Sequence, residues 1–189
     1  MSRLTAAVKV SPRKSIATLA VLMLAVAVMI GSGANFTSTT ANPDNTFTAG
    51  NLTHSNSKNG SAILTADKMK PGQSTQGTVD ITNTGDIDGV FSLAKSNLVD
   101  TPASPAFSGK LDLLVEDCGD PSGACSSPVT KYSGKLGAMG TVALGTFATA
   151  EAHRYRFTVT FPDGGAGGAD NAYKGASTSV QFDWTSVNN

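Results

Sequence analysis

The chain has 189 residues, 40% hydrophobic, 15% charged and 6% aromatic, and its 14 Lys+Arg balance 14 Asp+Glu to a formal net charge of zero. That balance, with no lysine- or arginine-rich run, excludes a generally basic nucleic-acid binder, and low charge with abundant Thr, Ser, Gly and Asn excludes a coiled coil or helical bundle. Enough apolar residues remain for one packed core, and the composition points to an all-β protein with one domain of ordinary size.

Arg3, Lys9, Arg13 and Lys14 make a positive start, with no acidic residue before Asp44. An apolar run over 16–30 follows, and its 15 residues would span only roughly 22 Å as a helix, short of the ~30 Å hydrocarbon core. Ser32-Gly33-Ala34 then sets small residues where a signal peptidase reads. The pattern predicts an export signal over 1–34, cut between Ala34 and Asn35, and a secreted chain with no stable membrane anchor after cleavage. The alternative is an uncleaved anchor. The mature chain, 35–189, keeps 10 Lys+Arg against 14 Asp+Glu, a net charge of −4.

The segment 35–48 reads as extended: polar, Thr-rich, nearly uncharged, with Phe36 and Phe47 as possible anchors and Pro43 as a break. Strands are expected over 46–52, 62–66 and, more clearly, 78–83, where Val79 and Ile81 alternate with Thr78, Asp80 and Thr82. Turns at Pro71-Gly72 and Asn83-Thr84-Gly85-Asp86 separate these strands from one another and from the next, over 89–94. After a break from Pro102 to Pro105, Leu111, Leu113 and Val115 form another inward set, with Leu114 a mild misfit.

Cys118 and Cys125 are the only cysteines, and Gly119, Pro121 and Gly123 between them allow a tight loop. In an oxidising compartment they can close on each other, worth roughly 2.5 kcal/mol in the chain-entropy model; zinc ligation is the alternative, though no histidine is near. A strand is expected over 141–147, with a helix over 136–143 as the competing reading. The clearest strand follows: Tyr155, Phe157, Val159 and Phe161 take one face, and Arg154, Arg156, Thr158 and Thr160 the other. Beyond the Pro162-Asp163-Gly164-Gly165 turn, Val180, Phe182 and Trp184 alternate with Gln181, Asp183 and Thr185. About eight short antiparallel strands at this spacing predict a two-sheet β-sandwich or jelly roll.

Three stretches of the chain resemble the TasA/camelysin (CalY) family of secreted bacterial matrix proteins. They are the signal followed by Asn45-Thr46-Phe47-Thr48-Ala49-Gly50-Asn51-Leu52; Lys70-Pro71-Gly72-Gln73-Ser74 with 77–85 and Gly89-Val90-Phe91-Ser92-Leu93; and 155–162 with Asp170-Asn171-Ala172-Tyr173 and 180–185. The resemblance implies a jelly-roll subunit that assembles into extracellular or biofilm-matrix fibres, exported through a SipW-type signal peptidase. The Cys118–Cys125 loop and the Gly-rich stretch 163–168 depart from the family pattern. Residue chemistry is compatible with assembly. Edge strands carry unpaired N–H and C=O groups, and another chain can add an extended segment there. Asn35, Phe36, Thr37, Ser38, Thr39, Thr40 and Ala41, ahead of the Pro43 break, are the expected donor strand, partnering a further copy of the same chain. A head-to-tail contact of this kind need not close, so it builds filaments. A frayed tail is the competing reading.

Enzymatic readings find little support. A camelysin-like metal-dependent endopeptidase would need a zinc constellation, but His54 and His153 are the only histidines and lie far apart. His153 reads as a solvated residue at a strand end, and His54 as part of an exposed loop. Glu116-Asp117 and Glu151 supply carboxylates without a histidine cluster, and no Gly-x-Ser-x-Gly elbow is present. No catalytic, metal or cofactor residue is therefore assigned. The stretch from Asp163 to Asn171 resembles a glycine-rich calcium repeat, off by a residue and in one copy, and Asp86 and Asp88 flank a turn; both read as surface loop. The Asn35-Phe36-Thr37 and Asn51-Leu52-Thr53 triplets match glycosylation acceptors by a pattern common in such compositions. A monomeric adhesin or carbohydrate-binding module shares the expected fold, but most aromatic residues fall on inward faces.

Overall fold

The computed structural model describes residues 48–188 together with Arg13, Ile16, Ala17, Ala20 and Thr46. Two units are distinguished, Met1–Phe47 and Thr48–Asn189. In the first, Arg13, Ile16, Ala17 and Ala20 are helical and exposed. The cleavage point at Ala34 and Asn35 and the donor segment 35–41 lie outside the described residues.

The second unit is an antiparallel two-sheet β-sandwich. Its elements are β1 (His54–Asn56), β2 (Ser74–Asn83), β3 (Gly89–Thr101), the single turn α1 (Phe107–Lys110), β4 (Asp112–Asp117), β5 (Val129–Lys135), β6 (Val142–Phe147), β7 (Ala152–Thr160) and β8 (Ser177–Val187). One sheet has the order β1-β2-β7-β4-β5 and the other β6-β3-β8, and every pairing is antiparallel. The β2–β7 ladder runs unbroken from Ser74↔Thr160 to Thr82↔Ala152.

Alternation does what the sequence requires of it. Val79 and Ile81 of β2, Leu113 and Val115 of β4, and Tyr155, Phe157 and Val159 of β7 are all buried, facing Phe91 and Leu93 of β3 and Leu144 and Phe147 of β6. Phe91 and Phe147 stack at 4.2 Å between ring centroids. Each such large side chain withdrawn from water contributes about 1.5–3 kcal/mol, which makes this layer the main source of stability.

Several expected elements take another form. The described residues of the expected strand 46–52, Thr46 and 48–52, are not a strand; the first ladder begins at His54, because the backbone of Asn51 and Thr53 bonds to the 84–86 turn instead. Residues 62–66 are also irregular, with Ile63 and Leu64 both packed on the core, which the strict alternation of a strand forbids. The competing helix over 136–143 shrinks to one 3₁₀ turn, Leu136–Ala138, before β6 begins at Val142. β3 runs well past Ala94 to Thr101, after a shift in register with β8 in which Asn97 takes φ 49°. β5 had no clear sequence signal, since its side chains are mostly polar and exposed.

Candidate functional site

The two sheets are unequal, and the shortfall falls beside β8. Trp184 packs on Tyr155 at 5.1 Å and Phe182 on Phe157 at 4.8 Å, so β8 overlies β7. β2 and β1 lie beyond β7 in the larger sheet, and the smaller sheet meets β1 where Phe91 of β3 and Ser186 of β8 contact His54. The outer edge of β8, 11 residues long, has no ladder partner among the described residues.

The sequence assigned the inward face of β8 correctly but not its surroundings. Tyr155 and Phe157 on β7 are fully buried, whereas Val180, Phe182 and Trp184 are only half-buried. They line an open groove whose other wall is formed by β1 and the irregular loop 57–69. The groove consists of two neighbouring hollows of about 900 and 960 Å³, with Ile63, Val180 and Phe182 lining both. At the Trp184 end its wall is polar, with His54, Ser55 and Asn56. At the Ser177 end it is apolar, with Met69, Phe107, Phe161 and Tyr173, and there the Phe107 and Phe161 rings meet edge to face at 5.0 Å. Trp184 Nε1 is buried yet finds no hydrogen-bond partner among the described residues, a state that costs about 1–3 kcal/mol. The groove combines a free strand edge, an apolar floor and a buried donor.

Local sequence holds the groove's walls in place. A Cβ on Gly77 would stand 2.1 Å from the Ile63 carbonyl oxygen, so only glycine lets the loop settle onto β2. At the opposite end of the groove, the chain before β1 is clamped to the β2–β3 turn. Asp86 N–H donates to Asn51 O at 2.9 Å, and Thr84 N–H donates to Thr53 O at 2.9 Å. Leu52 lies against Gly89, where a Cβ would sit 2.6 Å from its Cδ1. His54, expected in an exposed loop, is half-buried instead: its Nδ1 is 3.0 Å from Ser186 Oγ and its ring meets Phe91 edge-on at 5.7 Å.

The far side of the sandwich is closed. The β3–β6 ladder slips between Phe91 and Ser92, and the β4–β5 ladder between Val115 and Glu116. Lys131 of β5 donates to the Leu144 carbonyl of β6 at 2.9 Å. Irregular ladders and an inward lysine are devices that blunt a sheet edge.

The polar residues weighed for chemistry are paired with neighbouring groups. His153 is half-buried rather than a solvated strand end: Nδ1 lies 2.9 Å from Asp117 Oδ1, Nε2 lies 3.0 Å from Glu151 Oε1, and the ring stacks on Phe147 at 4.4 Å. Burial alone lowers its pKa, but hydrogen bonds to Asp117 and Glu151 outweigh that and hold it above the ordinary histidine value. Glu151 is held below the ordinary glutamate value, first by His153 and then by the Ala148 N–H. Glu116 pairs with Arg156 at 2.7 Å and Asp80 with Arg154 at 2.7 Å. In the glycine-rich loop, Asp170 accepts the Gly164 N–H at 2.7 Å and pairs with Lys110 at 2.8 Å. Asp86 and Asp88 accept the N–H groups of Asn51 and Thr149. Among the described residues, no three His, Cys, Asp or Glu side chains form a group that could hold a metal ion.

Cys118 and Cys125 form a disulfide, with Cα atoms 4.7 Å apart. It staples the loop after β4, where Cys118 N–H donates to Arg154 O at 2.7 Å. No protein-family model and no curated protein matches the chain. The groove beside β8 is thus the feature on which a functional reading rests.

Proposed function

We propose that this protein is a secreted, non-enzymatic structural subunit of an extracellular or cell-surface matrix, a jelly-roll member of the TasA/camelysin type. After a signal peptidase frees Asn35, residues 35–41 of one copy add as a strand to β8 of the next. The observation that carries this reading is the groove beside β8: an unpaired strand edge whose inward side chains remain half-exposed for want of a neighbouring strand. A visiting strand gains main-chain hydrogen bonds along β8 and covers Val180, Phe182 and Trp184. At about 3.3 Å per residue, seven residues span about 23 Å, which fits within the 11-residue length of β8. The charge-poor, Thr-rich composition of 35–41 suits a strand that must leave water on one face.

The test is removal of 35–41 from the mature protein, followed by negative-stain microscopy over a concentration series. The full mature chain is expected to form filaments and the shortened one to remain monomeric. Filaments of equal abundance from the shortened chain would refute strand donation.

A further inference from the structure

We infer that the donated segment runs antiparallel to β8, with Phe36 opposite Trp184, Ser38 opposite Phe182 and Thr40 opposite Val180, and that its source is a second copy of the chain. This rests on the strand-donation reading and specifies its direction and register.

Direction follows from where the chain enters the sandwich. Gly50 lies against Ile87 and Leu52 against Gly89, while the adjacent Val90 pairs with Val187 at the C-terminal end of β8. His54 reaches Ser186 at the same end. Gly50 and Leu52, which follow 35–47 in sequence, therefore lie at the end of the groove where β8 finishes. When copies stack head to tail, that end of one meets the opposite end of the next, where β8 begins at Ser177. A segment reaching up that groove is read, from N- to C-terminus, from Trp184 down towards Ser177. That is antiparallel to β8. A segment of the same chain lying on its own β8 would have to run parallel. All pairings in both sheets are antiparallel, and that ladder is slightly the more stable per residue.

Register follows from side-chain size. Pro43 has no N–H to give a ladder, so pairing begins at about Ala41, near the Ser177 end. Phe36, five residues further at about 3.3 Å each, then comes level with Trp184. Phe36, Ser38 and Thr40 share one face of a strand, as Val180, Phe182 and Trp184 do on β8. Small Ser38 and Thr40 meet the bulky Phe182 and Val180, and the aromatic ring enters the hollow of about 900 Å³ beside Trp184. The reverse direction would carry Phe36 to the Tyr173 end, about eight residues from Trp184.

Trp184 is the only tryptophan in the chain, so its emission reports on one site. Mature protein carrying Phe36→p-nitrophenylalanine, a short-range quencher, together with Trp184→Phe is mixed in excess with unlabelled mature protein. Filaments from the mixture are expected to show several-fold quenching of Trp184 emission, because all remaining tryptophan lies in unlabelled copies. Filaments that contain both proteins yet emit undiminished would overturn the antiparallel register while leaving strand donation standing. Filaments that also form without 35–41 would overturn donation itself. A Thr40→p-nitrophenylalanine counterpart that quenches more strongly than the Phe36 label would reverse the direction.

Discussion

Asn83 is fully buried, and it is satisfied on every side. Its Nδ2 donates to the carbonyls of Ile87 at 2.9 Å and Phe147 at 3.1 Å, and its Oδ1 accepts the Gly85 N–H at 3.0 Å. Its backbone bonds to Glu151 and Ala150. One amide thus joins the β2–β3 turn to the end of β6, and that turn in turn grips 51–53. Asn83→Ala is expected to lower the unfolding free energy by about 2–4 kcal/mol in urea titrations, since each buried group left unpaired costs about 1–3 kcal/mol. His153 lies one step away, and its linkage to pH has a definite sign. Its folded pKa is raised above 6.5, so the stability it adds is full below 6.5 and is lost as pH rises through the raised value. Glu151, lowered from 4.5, adds stability that is present above 4.5 and is lost as pH falls through the lowered value. Midpoints of urea unfolding are therefore expected to plateau between pH 4.5 and 6.5 and decline as pH climbs from 6.5 through the raised value. Lys131 also reaches this group, with its Nζ 3.5 Å from Asp117 Oδ2. In His153→Gln the alkaline decline should flatten; an identical decline in that variant would show that the imidazole is not its source.

Gly77 is the element-scale counterpart, because it decides how the loop over β2 sits. Gly77→Ala places a methyl group 2.1 Å from a backbone carbonyl, so the loop 62–66 must lift. The expected cost is about 1–3 kcal/mol, with faster amide exchange confined to 62–66 and the neighbouring part of β2. Unchanged exchange there would mean that the loop tolerates a Cβ. The same loop marks the limit of what the sequence made legible. β2, β4, β7 and β8 were readable because alternating apolar residues must face one core, and their inward sets are the ones found. β5 was not readable, since an edge strand with Lys131, Ser133 and Lys135 buries too little to show a period. Residues 62–66 were misread because Ile63 and Leu64 imitate strand composition while packing as a plug. The free edge of β8 was legible only in general terms. Val180, Phe182 and Trp184 read the same whether a strand lies beside them or not, and absence of a neighbour is a property of topology rather than of local pattern.

At the scale of the whole molecule, the two sides of the sandwich differ, and under the proposed strand donation that difference would make assembly directional. Ladders shift on both sides, but on the β5–β6 side the extra residues lie in the edge strands themselves and Lys131 ties β5 to β6, whereas beside β8 the extra residue lies in β3 and the edge borders a groove. Under the proposed strand donation, a head-to-tail contact between the β8 edge of one copy and the leading segment of the next would make an open-ended chain rather than a two-fold dimer. Charge can test which side accepts. In Val180→Lys the monomer should keep its fold, because the half-exposed position lets the lysine run its stem along the groove and leave its ammonium in water. Once a strand fills the groove that route closes, and an unpaired buried charge costs several kcal/mol. Thr130→Lys, at an exposed position on β5, places the same charge on the closed side. Thermal melts of both variants are expected to stay close to the parent, while sedimentation shows filaments for Thr130→Lys and monomer for Val180→Lys. Equal filament yield from the two would move the acceptor away from β8, because a groove that admits a strand beside a buried ammonium is not the one that binds it.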